Sequence, residues 1–142
     1  MRVEWFVTLD EIPRTSAQEK GVRIVRGRPM FYTKSKVLEV ERLYSMMIRT
    51  HKPERPLEGA IKVKVLFIYP VKKPHKNGEP KQTRPDVDNM VKVLLDSITK
   101  SGAYWNDDGQ ICDLRIIKRY GEPSGIGFQA VEIDKGGLEV DN

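Results

Sequence analysis

A single cysteine, Cys112, and two histidines, His51 and His75, are all that 142 residues contain of these types. An internal disulfide is therefore impossible, and no His–Cys set with zinc spacing exists. No stretch nears the roughly 18 apolar residues of a membrane-spanning helix, and the start lacks the basic, then apolar, then small pattern of an export signal. Internal repeats and low-complexity tracts are missing too. These absences argue against a disulfide scaffold, a zinc fold, a membrane protein and a repeat array, and they lead to the expectation of a cytoplasmic protein. For Cys112 they favour burial over reactivity.

What is present suits one ordinary domain. The length falls where single-core domains cluster, and 39% apolar with 32% charged residues is a globular composition rather than a disordered one. The net charge of +5 hides a division along the chain. Residues 1–85 carry 19 basic and 9 acidic side chains, a balance of +10, whereas residues 86–142 carry 6 and 11, a balance of −5. Such an asymmetry suits a polyanion-binding surface in one half and a cation-requiring acidic cluster in the other.

Residue pattern predicts the elements in order. Residues 2–9 read as a strand, and Val22–Val25 with Met30–Thr33 read as a hairpin turning at Arg26-Gly27-Arg28-Pro29. Apolar steps of three and four from Ser35 to about His51 predict a helix, with Leu43, Met46 and Met47 filling core. Alternation through Ile61, Val63, Val65, Phe67 and Tyr69 predicts the clearest strand. Residues 70–85, with four prolines, read as a basic flexible loop in which His75 lies at the surface. Helical spacing returns from Asp86 to about Lys100, closed by Gly102, and two strands follow over 111–120 and 126–134, with 136–142 frayed. The expectation is an α+β fold, a single domain with a mixed sheet and two main helices on one face. Trp5 and Trp105 are expected to pack.

Chemistry concentrates in two blocks, Asp86-Val-Asp88-Asn89 through Lys92 to Asp96, and Trp105-Asn-Asp107-Asp108-Gly-Gln110. Pro85 sets the helix start at or just after itself, so Asp86 and Asp88 fall in the first turn. Steps of four then align Asp88, Lys92 and Asp96 on one face. Were the following strand to bring Asp107-Asp108 back beside the helix start, three or four carboxylates would surround one point, and their repulsion would demand a cation; Mg²⁺ suits oxygen donors that share it with phosphate. Plainer readings stay open: Asp86 and Asp88 as helix caps, Asp107-Asp108-Gly109 as a simple turn, Asp88–Lys92 as a surface ion pair.

The pattern Asp86-x-Asp88-Asn89-x-x-Lys92-x-x-x-Asp96, then Trp105-x-Asp107-Asp108-x-Gln110 and a strand, resembles the RusA family of Holliday junction resolvases over about residues 84–118. That resemblance implies a homodimeric endonuclease making paired nicks in branched DNA with Mg²⁺ or Mn²⁺ and no small-molecule cofactor. It implies Asp86, Asp88 and Asp108 as metal-binding catalytic acids and Lys92 as the catalytic lysine, with Asn89, Asp96, Asp107 and Gln110 in support. Lys72, Lys73, Lys76, Lys81 and Arg84 are expected to grip phosphates, with a solvated loop as the plainer reading, and Arg14, Lys20, Arg23, Arg26 and Arg28 either extend that surface or keep the hairpin soluble. Two other readings stand beside it: a non-catalytic branched-DNA-binding protein, and a hydrolase of small phosphate substrates. A bacterial, prophage or phage origin is left open.

Overall fold

The strand with the strictest alternation, β4 (Ile61–Tyr69), lies inside a four-stranded sheet whose order is β1 (Arg2–Thr8), β6 (Gly125–Glu132), β4 and β5 (Ile111–Tyr120), as the burial of alternate side chains on it demands. The structure is a computed structural model and describes residues 1–14, 20–25, 27–33 and 35–138. Strands β1 (Arg2–Thr8) and β6 (Gly125–Glu132) pair antiparallel, as do β6 and β4, whereas β4 and β5 (Ile111–Tyr120) run parallel. Strands β2 (Lys20–Val25) and β3 (Arg28–Thr33) form a separate antiparallel pair, the expected hairpin, with Gly27 at φ 76° in its turn. Helix α1 (Ser35–Thr50) precedes β4, and α2 (Val87–Ser101) joins β4 to β5.

One core holds these parts together. Val3, Trp5, Val63, Val65, Phe67, Phe128 and Ala130 from one face of the sheet meet Val40, Tyr44, Met47 and Ile48 of α1 and Val91, Leu94 and Ile98 of α2. The expected α+β arrangement is therefore observed. Trp105 is wholly buried and donates from Nε1 to Thr99 Oγ1 at 2.8 Å, so the chain leaving α2 is fixed to the turn it has just left. Gly102 ends α2 in a left-handed conformation, φ 65°, with its N–H on the Thr99 carbonyl.

Several expectations need correction. Cys112 is exposed, because β5 is an edge strand that directs alternate residues away from the core. Met46 is 58% exposed, one helical step round from the buried Met47. His75 is half-buried, its ring stacked on Tyr120 with centroids 4.2 Å apart and Nδ1 paired with Glu79. Residues 70–85 are not a free loop. Gly78 and Lys81 donate main-chain N–H groups to Tyr120 and Lys118, and Tyr120 donates back to Glu79, so residues 78–81 lie along the edge of β5. The side chains of Lys20, Arg23 and Arg28, all of Arg26, and residues 139–142 lie outside what is described.

Candidate active site and nucleic-acid interface

Asp86 occupies the N-cap position of α2 with extended backbone (φ −74°, ψ 139°), yet its side chain makes no capping hydrogen bond. An acid at an N-cap normally satisfies a free N–H of the first turn. Here that carboxylate is exposed and, among the described residues, uncommitted, and the capping explanation does not apply. Asp88 follows in the first turn, exposed, and no ion pair to Lys92 forms. Asp88, Asn89, Lys92 and Asp96 line one groove, of about 730 Å³, closed on its other side by Val37 and Glu41 of α1. The acid, base, acid stripe is thus real, and its groups are free of one another.

The second acidic block behaves differently. Asp107 caps the short 3₁₀ turn Asp108–Gln110: its Oδ1 accepts from the Gly109 N–H at 2.9 Å, and the Gln110 Oε1 accepts in turn from the Asp107 N–H at 3.1 Å. The Gly109 N–H, and after it the Asp108 side chain, hold the Asp107 carboxyl below its ordinary pKa. The Gln110 amide donates to the Leu57 and Gly59 carbonyls at 3.2 and 3.0 Å, anchoring the turn to the chain that enters β4. Asp107 and Gln110 therefore build the turn, while Asp108 stands exposed upon it.

One chain does not bring the two acidic blocks together. β4, α2 and β5 form a parallel crossover, in which the helix must run back against its strands. Asp86 and Asp88 consequently sit where the strands end and Asp108 sits where β5 begins, separated by the length of α2, ~22 Å at about 1.5 Å per residue. Among the described residues no group of three or more His, Cys, Asp or Glu side chains could hold a metal ion. The expected convergence within a chain is corrected by this topology.

The cations are gathered at the Asp86 end. Lys72, Lys73, Lys81 and Arg84 line a cavity of about 600 Å³ together with Arg14, whereas Lys76 is exposed on the loop outside it. Lys118, a residue the sequence pattern did not single out, donates from Nζ to the Thr83 and Pro85 carbonyls at 2.5 and 2.6 Å. It thereby ties the segment that leads into Asp86 to β5. Burial lowers the pKa of this ammonium, the Lys81 charge lowers it further, and Asp86 opposes both. Only an i-to-j contact across 33 residues reveals the role, and no local period encodes one.

Uncommitted acids and a cation-lined cavity at the carboxyl ends of parallel strands are the arrangement of a protein that handles phosphate polyanions. The family model described as endodeoxyribonuclease RusA matches residues 11–129. A Lactococcus phage r1t protein named crossover junction endodeoxyribonuclease rusA is 32% identical over 135 residues, covering 94% of this chain and 100% of its own. Escherichia coli (strain K12) crossover junction endodeoxyribonuclease RusA is 44% identical over 39 residues, 28% of this chain and 32% of its own. YqaN of Bacillus subtilis (strain 168), an uncharacterized protein, is 29% identical over 100 residues, 63% of this chain and 69% of its own. The chain belongs to the RusA endodeoxyribonuclease family. No helix among its described residues is long and apolar enough to cross a membrane.

Proposed function

We propose that this chain resolves crossover junctions as a two-fold pair, each cleavage site combining Asp86 and Asp88 of one copy with Asp108 of the other. The observation that carries the reading is the position of the acids at opposite ends of α2. A two-fold axis crossing that helix near its middle runs the two copies of it antiparallel, so each helix start meets the partner's turn. A four-way junction has matching symmetry, and two cuts on related strands resolve it where one would leave a nicked branch.

Three carboxylates suit a hard divalent cation, Mg²⁺ or Mn²⁺, which would lower the pKa of an attacking water and offset charge on the phosphate oxygens. The chain's own residues supply the rest. Lys92, exposed four residues beyond Asp88, offers an ammonium to the phosphate or the leaving oxygen. Lys72, Lys73, Lys81 and Arg84 hold neighbouring phosphates against the repulsion of the acids, with Lys76 further out on the same loop. The free carboxylate of Asp86 favours this reading over a non-catalytic binding protein, because a retained cap would be hydrogen-bonded.

Mixing two inactive variants tests the composite site. Asp86→Asn and Asp108→Asn chains are each expected to leave a synthetic four-way junction uncut while still binding it. Co-refolded together they regain nicking at about a quarter of the sites, since each mixed pair holds one intact site and one doubly damaged. EDTA abolishes the regained activity. Mixtures as inactive as their components would refute the shared site, and full activity in either single variant would refute the acids.

A further inference from the structure

Tyr69 and Tyr120 are register partners at the carboxyl ends of the parallel strands β4 and β5, so their rings stand side by side. Above them lies the cation-lined cavity already described, with Arg14, Lys72, Lys81 and Arg84 around its rim. The Lys81 ammonium is 4.9 Å from the Tyr69 ring centroid and 5.5 Å from that of Tyr120. His75 stacks on Tyr120 and takes up Glu79, and among the described residues no carboxylate lines the cavity. Tyr69 is only half-buried and lines the space, with the mobile end of the Lys81 side chain lying over its ring.

Gripping the outside of a duplex requires cations on a convex or open face, and it requires no recess floored by aromatic rings. Bases stacked within a duplex offer no ring face to a protein. At a branch point, stacking is interrupted and a base face becomes available, and aromatic platforms rimmed by positive charge hold such bases with little sequence demand. The volume, about 600 Å³, lies inside the roughly 300–1,000 Å³ of small-ligand sites.

From this geometry we infer that the cavity receives one unstacked nucleotide of the junction, its base replacing the Lys81 ammonium on Tyr69, its phosphate on Arg84 and the flanking phosphates on Arg14 and Lys72. Arg84 is two residues from Asp86, so the captured nucleotide flanks the strand presented to the acids. The pocket would hold the branch open and fix which phosphodiester reaches the cleavage site. This inference rests on the junction-cutting reading above.

The test scans single abasic positions around the branch of a synthetic four-way junction, measuring affinity in EDTA. For the wild-type chain, one flanking position is expected to weaken binding about tenfold. Tyr69→Leu should shrink that penalty to within about twofold, and Tyr69→Phe, which keeps the ring, should preserve it. In parallel, 5-iodouracil placed at each branch position and irradiated with the wild-type chain is expected to crosslink to the peptide carrying Tyr69 or Tyr120; this measurement needs no variant to fold. Junction binding with the same abasic profile in wild type and Tyr69→Leu, or crosslinks from every position falling elsewhere, overturns the pocket and leaves the junction reading intact. Equal affinity of the wild-type chain for junction and linear duplex overturns the junction reading, and the pocket with it.

Discussion

Two aspartates stand at helix starts in this chain, and only one of them caps. Asp107 accepts the Gly109 N–H and is locked to its turn, whereas Asp86, with the same extended backbone, leaves its carboxylate free. The difference separates a residue that makes structure from one available for chemistry. Tyr104 belongs to the first kind: fully buried, its hydroxyl accepts from Trp5 Nε1 at 3.0 Å and donates to the Ile48 carbonyl at 2.8 Å, joining β1 to α1. Tyr104→Phe should cost about 1–3 kcal/mol, because it orphans a buried donor and a buried acceptor. Burial also raises the Tyr104 pKa to about 12. Unfolded tyrosine ionises near 10, so the stabilisation is complete below that pH and is lost as pH rises toward 12. Urea unfolding at pH 7 and pH 11 checks both points. The variant should start weaker and lose less on going to high pH, and an equal loss in both proteins would rule out Tyr104 as a source.

At the scale of elements, what could be read from the sequence follows what is local. The alternation of β4 and the helical spacing of α2 are written in neighbouring residues, and both elements stand within a residue or two of expectation. The hydrogen bonds that attach residues 78–81 to β5 are between main-chain groups and leave no side-chain period, which is why that segment reads as a free loop. Misplacing Asp108 beside the helix start has a topological origin. Two strands flanking a helix pair in parallel here, and a parallel pair sends the second acidic block to the far end. Tyr69 and Tyr120 likewise read as strand residues until register sets them side by side. Lys118 is the tie between these parts, since it holds the Thr83 and Pro85 carbonyls next to Asp86. Lys118→Met should slow single-turnover junction cleavage about tenfold, with little change in junction affinity, because small displacements of a reacting group cost rate before binding. Hydrogen exchange at residues 82–86 should rise in the same variant. Unchanged cleavage would assign the lysine to folding alone.

The whole molecule divides its charge between a basic loop end and acids at both ends of α2, and the balance between them governs how DNA is held. Each phosphate neutralised releases counterions and contributes about −0.9 to the slope of log affinity against log salt. Four loop cations and Arg14 line the cavity of each chain. A pair of chains gripping one junction through them should therefore show a slope between about −4 and −9. Replacing Lys72 and Lys73 together by alanine separates the two stoichiometries: a pair loses four contacts and the slope falls by about 3–4, while a lone chain loses two and it falls by about 2. Asp86→Asn, by contrast, should raise affinity without altering the slope, since it removes repulsion and makes no phosphate contact. Junction affinity measured from 50 to 300 mM salt reads all three quantities. A change near 2 for the double variant would mean that one chain engages the junction, and the two-fold cleavage site would then have no support from binding.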